Sequence, residues 1–231
     1  MKKNVIVAGA LLGSVLVLSG CRVDFGLGDR QQEVASYDVA DKLTVLDVRA
    51  GAGDIVVTES GRSGVRVTET LHWRGDKGDK PVTEHAVEGD TLVLRDKCPH
   101  GNCSVDYRIE IPKGLTTKLD AGSGTLTLRA LTGEVTADTG SGNIEAGTLG
   151  TKRFVAETGS GDVEVKFAAV PDKVDVRTGS GDATVRLPQG AYDVTAETGS
   201  GNKTVQVTDD PSAPRSVLVR TGSGDAKVLR P

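Results

Sequence analysis

The sequence is short of the side chains from which most catalytic and ligand sites are made. Aromatic residues are 3% of its 231 positions (three Phe, three Tyr and one Trp), and there are three His, three Cys and one Met. A core built with so few aromatics has to come from Val, Ile, Leu, Ala and Thr, which suit thin stacked sheets. Aromatic sugar platforms are hard to assemble as well, because Trp73, Tyr37, Tyr107 and Tyr192 are scattered along the chain. A basic excess is also missing. The chain carries 28 Lys and Arg against 32 Asp and Glu, a formal net charge of −4. Nucleic-acid partners need a basic stripe and have no electrostatic case here. Helical periodicity is absent from residues 34–113. The apolar run at residues 5–18 is too short to span a bilayer comfortably.

Glycine, by contrast, is abundant at 30 residues, and much of it is placed in register. Seven Gly-x-Gly motifs have apolar alternation on both sides, at Gly51/Gly53, Gly122/Gly124, Gly140/Gly142, Gly159/Gly161, Gly179/Gly181, Gly199/Gly201 and Gly222/Gly224. All fourteen are expected to be structural turn glycines. From the second motif onward the steps are 18, 19, 20, 20 and 23 residues. Apolar residues or Thr sit five, three and one positions before the first Gly, as in Val174/Val176/Thr178. They return four and six positions after it, as in Val163/Val165 following Gly159. Charged residues and Thr fill the places between, so each unit predicts two short, half-buried strands.

The parity of those positions carries the fold prediction. Inward residues fall at odd offsets before the Gly and at even offsets after it, which one straight strand cannot do. The Gly-Ser-Gly must therefore turn the chain and reset which side faces the core, and glycine suits a turn that needs positive φ or close backbone approach. A unit of about 20 residues cannot bury its own apolar face, but stacked units bury each other's. We therefore expect an all-β fold, a β-solenoid or two-sheet β-roll built from these repeats with Gly-Ser-Gly corners. An antiparallel sandwich is the competing architecture, and it gives no reason for successive loops to repeat the same residues.

Along the chain, residues 1–20 read as a targeting segment, with Lys2 and Lys3 ahead of the apolar run. The sequence Leu18-Ser19-Gly20-Cys21 resembles the bacterial lipobox. That resemblance implies that Cys21 becomes the mature N-terminus and carries acyl chains, which place the protein on the extracytoplasmic face of the cell membrane through a lipid anchor. Residues 21–33 are expected to be a lipidated tether. Residues 34–113 form an N-terminal β block with a hairpin turn at Glu88-Gly89-Asp90 and a period-2 strand through Val105, Tyr107, Ile109 and Ile111. Residues 114–231 are the repeat block, continuous with the one before it. Lys203 breaks an inward apolar column in the penultimate unit, and residues 209–214 are expected to project as a loop. The C-terminal coil would expose a sheet edge, which Lys227, Arg230 and Pro231 would protect.

Two groups of residues invite a chemical reading. Cys98 and Cys103, in Cys-Pro-His-Gly-Asn-Cys, most simply form a disulfide in an exported chain. The alternative is a metal site with His100, and with His72 and His85 from the same block, although Cys-x4-Cys is not a strong zinc spacing. Stacked corners would also align Asn143, Asp162, Asp182, Asn202 and Asp225 beside a column of serines. Asx-turn hydrogen bonding to the backbone is the favoured role for that column, with calcium binding the alternative. A phosphate cradle is rejected, since no Gly-Lys-Ser/Thr and no helix follow the glycines.

The run Leu-Asp-Val-Arg-Ala-Gly-Ala-Gly-Asp-Ile-Val-Val at residues 46–57, then Tyr-Arg-Ile-Glu-Ile-Pro at 107–112, then the serial Thr-Gly-Ser-Gly-Asp resemble a bacterial family. It is the exported domain-of-unknown-function family labelled "putative adhesin", whose members are β-repeat proteins. The resemblance spans roughly residues 37–230 and implies surface binding, with no catalytic residues to carry over. The expectation is a non-enzymatic cell-envelope lipoprotein, without cofactor, acting as a β-repeat adhesion, scaffold or envelope-sensing module. Its partners would be the membrane, through the lipid anchor, and an envelope protein or glycan. A metal-binding envelope protein is the alternative, and a polysaccharide-active β-helix enzyme comes behind it.

Overall fold

A chain that alternates in and out with period 2, and changes parity at each Gly-x-Gly, has to pass from one sheet to another at those points. In the computed structural model, which describes residues 30–231, it does. The expected signal segment, Cys21 and the tether up to residue 29 lie outside the described residues. The first part of the fold comprises β1 (Arg30–Val39), β2 (Val45–Ala52), β3 (Ile55–Glu59), β4 (Val65–Arg74), β5 (Val82–Glu88), β6 (Thr91–Lys97) and β7 (Cys103–Ile111). Pairs of strands then follow: β8 (Thr116–Ser123) with β9 (Leu126–Arg129), β10 (Val135–Ser141) with β11 (Ile144–Leu149), and β12 (Arg153–Ser160) with β13 (Val163–Phe167). After them come β14 (Lys173–Ser180) with β15 (Ala183–Arg186), and β16 (Ala191–Ser200) with β17 (Lys203–Val205). The short β18 (Thr208–Asp209) and the pair β19 (Ser216–Ser223) and β20 (Ala226–Leu229) complete the chain.

These strands make two ten-stranded sheets. One runs β1-β4-β7-β3-β9-β11-β13-β15-β20-β17, the other β18-β16-β19-β14-β12-β10-β8-β2-β6-β5. Each coil gives one strand to each sheet, and equivalent strands pair in parallel, for example Val135 with Phe154 and Phe154 with Val174. The fold is the expected two-sheet β-roll. Its core lies between the sheets as ladders of like residues, such as Ile144, Val163, Ala183 and Ala226, all buried. The two blocks share both sheets, because β2 pairs with β8 and β3 with β9.

The N-terminal end departs from pure solenoid geometry. Strands β1, β4 and β5 are added antiparallel, through β1–β4, β4–β7 and β5–β6. The last of these is the hairpin expected at Gly89-Asp90, with Glu88 opposite Thr91. Residues 30–33 belong to β1 and are not tether: Arg30 to Glu33 pair with Arg74 to Leu71. The coil β6–β7 stacks on β2–β3 through Val45–Arg49 against Thr91–Arg95 and Ile55–Glu59 against Tyr107–Ile111. Its corner is not Gly-x-Gly but the loop between Cys98 and Cys103.

The C-terminal end corrects a second expectation. The last coil in the chain, β19–β20, is not the last in space. It lies between β14–β15 and β16–β17, pairing with β14 and β15 on one side and β16 and β17 on the other. Lys227 is therefore interior to the stack and bridges Asp182 and Asp225, at 2.9 Å from each carboxylate. The exposed edge is β16–β17, where Lys203 occupies the ladder position below Ala226 and faces solvent. The physical reason is simple: of the equivalent coils, the one with an inward lysine fits only at an open end. Residues 209–214 do not wholly project either. Strand β18 pairs with Ala191 and Tyr192, and the Asp209 carboxylate accepts a hydrogen bond from the Val194 N–H at 3.1 Å.

Candidate functional site

The Gly-x-Gly corner is the first candidate, and its geometry corrects the expectation that both glycines of each motif make the turn. The first of each pair is a strand residue: Gly51, Gly122, Gly140, Gly159, Gly179, Gly199 and Gly222 all lie within β-strands. The bend falls on the second alone. Gly53, Gly124, Gly142, Gly161, Gly181, Gly201 and Gly224 lie outside the strands, with φ from +118° at Gly53 to +152° at Gly142. The reason is that coil-to-coil pairing runs on through the intervening residue, as in Ser141 with Ser160 and Ala52 with Ser123. Only beyond that residue is the backbone free to turn.

Both kinds of glycine are nevertheless needed for close approach. A Cβ placed on Gly179 would lie 2.5 Å from the Gly159 carbonyl oxygen of the adjacent coil. On Gly181, where φ is +133°, it would lie 2.2 Å from the Gly161 oxygen. Gly124 meets the Gly53 oxygen in the same way, Gly224 the Gly181 oxygen and Gly201 the Gly224 oxygen. Gly53 differs: its neighbour is the Val105 oxygen, because the coil stacked on it has no glycine corner. The corner backbones are in contact, and side chains at these places would push the coils apart. The groups around the glycines are also turned toward the neighbouring coil. Thr178 Oγ1 donates to the Gly161 oxygen at 2.9 Å, and Thr158 to Gly142 and Thr221 to Gly181 do the same.

The Asx column behaves likewise, with a correction to the expected Asx turns. The Asp162 N–H donates to Asn143 Oδ1 at 2.9 Å, the Asp182 N–H to Asp162 Oδ1 at 2.8 Å, and the Asp225 N–H to Asp182 Oδ1 at 2.8 Å. The Asn202 N–H completes the series on Asp225 Oδ1 at 2.9 Å. Each side chain caps the backbone of the next coil, not its own turn. Stacked strands lie about 4.8 Å apart, which puts the N–H of the next coil within reach of the side-chain oxygen. These backbone bonds, followed by the Lys227 ammonium, hold the Asp182 carboxyl below its usual range; for Asp225 the Asn202 N–H leads, again with Lys227. The cation in the column is therefore a lysine of the chain itself.

Cys98 and Cys103 are joined in a disulfide, S–S 2.03 Å with Cα atoms 5.6 Å apart. Bonded to each other, they offer no thiolate to a metal. The three histidines are engaged separately: His72 Nε2 lies 3.0 Å from Asp106 Oδ2, His100 Nδ1 lies 2.8 Å from Asp79 Oδ1, and His85 stacks on Tyr37 at 4.3 Å. Among the described residues no three His, Cys, Asp or Glu side chains come together as a metal site would require. Replacing both Cys98 and Cys103 by serine is expected to cost about 2 kcal/mol of stability by loop-closure entropy, read as a lowered urea midpoint. An unchanged midpoint would show that the loop is held by its other contacts.

A polar cluster that the sequence reading missed sits between the sheets at the N-terminal end. Glu69 on β4 is buried and accepts a hydrogen bond from Tyr37 Oη at 2.7 Å. Tyr107, directly across from Glu69 on β7, is also buried, and its hydroxyl has no hydrogen-bond partner. Asp96 on β6 takes the Gly51 N–H at 3.2 Å with one oxygen and leaves the other buried without a partner. Burial first, then the nearby carboxylates, pushes both tyrosines well above their ordinary range, Glu69 acting on Tyr37 and Asp96 with Glu69 on Tyr107. Burial likewise raises Asp96. The signal was present in the parity: Glu69 lies between the inward residues Val67 and Leu71, and Asp96 follows Leu92 and Leu94 on the same face.

The cluster makes stability depend on pH in a defined sense. A carboxyl that holds its proton more tightly in the folded state favours folding at low pH. That contribution fades as pH rises from the ordinary value of 3.8 through the raised folded value. At neutral pH the ionised Asp96 is a net cost. Asp96→Asn keeps an acceptor for Gly51 and removes the charge, so it is expected to raise the urea midpoint at pH 7 and to match the parent below pH about 4. A midpoint lowered at both pH values would overturn this.

On the outer face, Asp120, Asp138 and Glu157 stack in register, flanked by Arg49 and Arg177. Partial burial, then Glu157 and Asp120, raises Asp138. The aromatic side chains that a glycan enzyme would present are withdrawn from that face, since Trp73, Tyr107 and Tyr192 are buried. Among the described residues no helix is long and apolar enough to cross a membrane.

This arrangement of serial parallel coils agrees with the comparisons. The family model of Toastrack DUF4097 matches residues 37–229. The chain belongs to the Toastrack DUF4097 family. Among solved structures it is similar to a "putative cell adhesion protein" from Clostridium sporogenes, with 16% identity and a TM-score of 0.51, covering 87% of this chain and 100% of that one. It is also similar to a "putative adhesin" from Bacteroides fragilis, with 15% identity, a TM-score of 0.30 and coverage of 85% and 97%. A third likeness is to a "putative adhesin" from Parabacteroides distasonis, with 13% identity, a TM-score of 0.32 and coverage of 86% and 97%. At these identities the first likeness bears on the Toastrack fold alone. No curated protein matches the chain.

Proposed function

We propose that this Toastrack protein is a non-enzymatic, lipid-anchored module of the cell envelope, a stiff β-repeat stack used for adhesion, scaffolding or envelope sensing. One observation carries the reading: the residues that repeat along the stack are engaged with the neighbouring coil. The corner glycines touch backbone, the threonines donate to the adjacent carbonyls, and the Asx side chains cap the adjacent N–H groups. Repetition therefore builds a support, and recognition is left to residues that do not repeat. The cell-adhesion description of the Clostridium sporogenes structure supports the same reading.

The lipid anchor rests on Leu18-Ser19-Gly20-Cys21. Cys21→Ala is expected to move the protein from the membrane to the soluble fraction, because two or three acyl chains hold a protein where none does not. Unchanged fractionation would remove the anchor from the reading. Release of products from a panel of polysaccharides would remove the non-enzymatic part.

A further inference from the structure

The non-repeating N-terminal end carries an open cleft of about 460 Å³. Its lining includes Arg30, Arg74, His72, Ser104, Asn102 and Trp73. Register explains how they meet. Arg30 and Arg74 are direct partners across β1 and β4, and His72 and Ser104 are direct partners across β4 and β7. In β4 burial alternates, with Leu71 and Trp73 inward, so His72 and Arg74 share the outer face. Asn102 comes from the disulfide-closed loop, whose backbone oxygen at Asn102 accepts from the Arg74 N–H at 3.3 Å.

The charge in this cleft is unlike that of the chain as a whole, which is net acidic at −4. Two guanidinium groups directly opposite each other repel and are normally avoided. Among the described residues neither Arg30 nor Arg74 joins an ion pair. No carboxylate lines the cleft, and the acid that His72 meets, Asp106 at 3.0 Å, lies further along β7, opposite Thr70. What remains is a set of donors: two guanidinium forks, an amide and a hydroxyl.

We propose that this cleft binds a phosphate-type oxyanion, with Arg30 and Arg74 as the paired forks that grip it and Ser104 and Asn102 as neutral donors. An anion between the two arginines turns their repulsion into two charge-assisted, bidentate contacts, the geometry for which guanidinium is suited. The source is either free phosphate or a phospholipid headgroup. The second source rests on the anchor reading: Arg30 lies nine positions after Cys21, a reach of at most about 32 Å, which would hold the cleft near the bilayer surface.

The test uses the full chain carrying Cys21→Ala, so that acyl chains cannot hold it on vesicles. Isothermal titration calorimetry reads phosphate occupancy, and co-sedimentation reads binding to vesicles. Inorganic phosphate is titrated at low ionic strength against chloride, and vesicles of phosphatidylcholine are compared with and without phosphatidylglycerol. A saturable response to phosphate, weakened roughly tenfold by Arg74→Gln or Arg30→Gln, supports the site. An added response only to vesicles that contain phosphatidylglycerol, again lost with the arginines, assigns the headgroup as the source. A response to phosphate alone assigns the free anion. No response, an equal response to chloride, or a double variant Arg30→Gln/Arg74→Gln that titrates like the parent overturns the proposal. Both arginines are exposed, so urea midpoints of the variants should match the parent and exclude misfolding.

Discussion

Gly181→Ala is expected to lower the unfolding free energy by on the order of 3 to 5 kcal/mol. Two penalties combine at this position. The backbone has φ +133°, where an L side chain is strained, and the new Cβ would lie 2.2 Å from the Gly161 oxygen and 2.6 Å from its carbon. Neither atom can move aside like a flexible side chain, because both belong to the paired backbone of the next coil. Relief requires the coils to separate locally, which also weakens the Gly161 N–H to Ser180 oxygen bond between them, 2.8 Å in the native stack. Gly147→Ala is the internal comparison. That glycine has no atom within 4 Å of its would-be Cβ and no positive φ, so the substitution should be neutral or stabilising by up to about 1 kcal/mol. Chemical denaturation of both variants checks the pair. Equal, small effects would mean that the corner backbones are not in contact and that the stack is looser than described.

That contrast also marks what could be read from the sequence. The two-strand unit, the parity change and the corner were legible because each is a statement about neighbours in the chain. Val174, Val176 and Thr178 announce an inward face without reference to anything distant. Interactions between coils were less legible. Gly179 and Gly181 look alike in the motif, yet pairing with the next coil keeps the first in the strand and leaves the bend to the second. Nothing in the spacing of Asn143 and Asp162 reveals whether a side chain caps its own turn or the N–H of the next coil, and the structure chooses the latter. The N-terminal cluster lies between these cases. Glu69 and Asp96 occupied inward parity positions, yet the strands that enclose them, β1 and β5, are antiparallel additions that no repeat foreshadows. The arginines of the cleft were still less visible, since Arg30 and Arg74 lie 44 residues apart and meet only through the register of β1 with β4.

The order of the last two coils separates chain order from spatial order, and one ladder position tests it. Ala183, Ala226 and Lys203 are equivalent and successive in space, although Lys203 precedes Ala226 in the chain. Were the coils stacked in chain order, Ala226 would lie at the open end and would tolerate a charge. In the structure it is fully buried between Ala183 and Lys203, with strands on both sides. Ala226→Lys therefore places an unpaired ammonium in the core and is expected to cost more than about 4 kcal/mol or to prevent folding of the final coils. Lys203→Ala, in the same ladder but at the solvent-facing edge, should stay within about 0.5 kcal/mol of the parent. Urea denaturation, with proteolysis to show which coils open, reads both. Tolerance at 226 together with a large loss at 203 would reverse the spatial order. The lysine also has a protective use there, since a charged side chain on an edge strand discourages the bare parallel edge of β17 from pairing with another chain. Lys203→Ala should thus leave stability nearly unchanged while increasing self-association in light scattering, an effect that the same alanine, already present at buried positions 183 and 226, cannot produce.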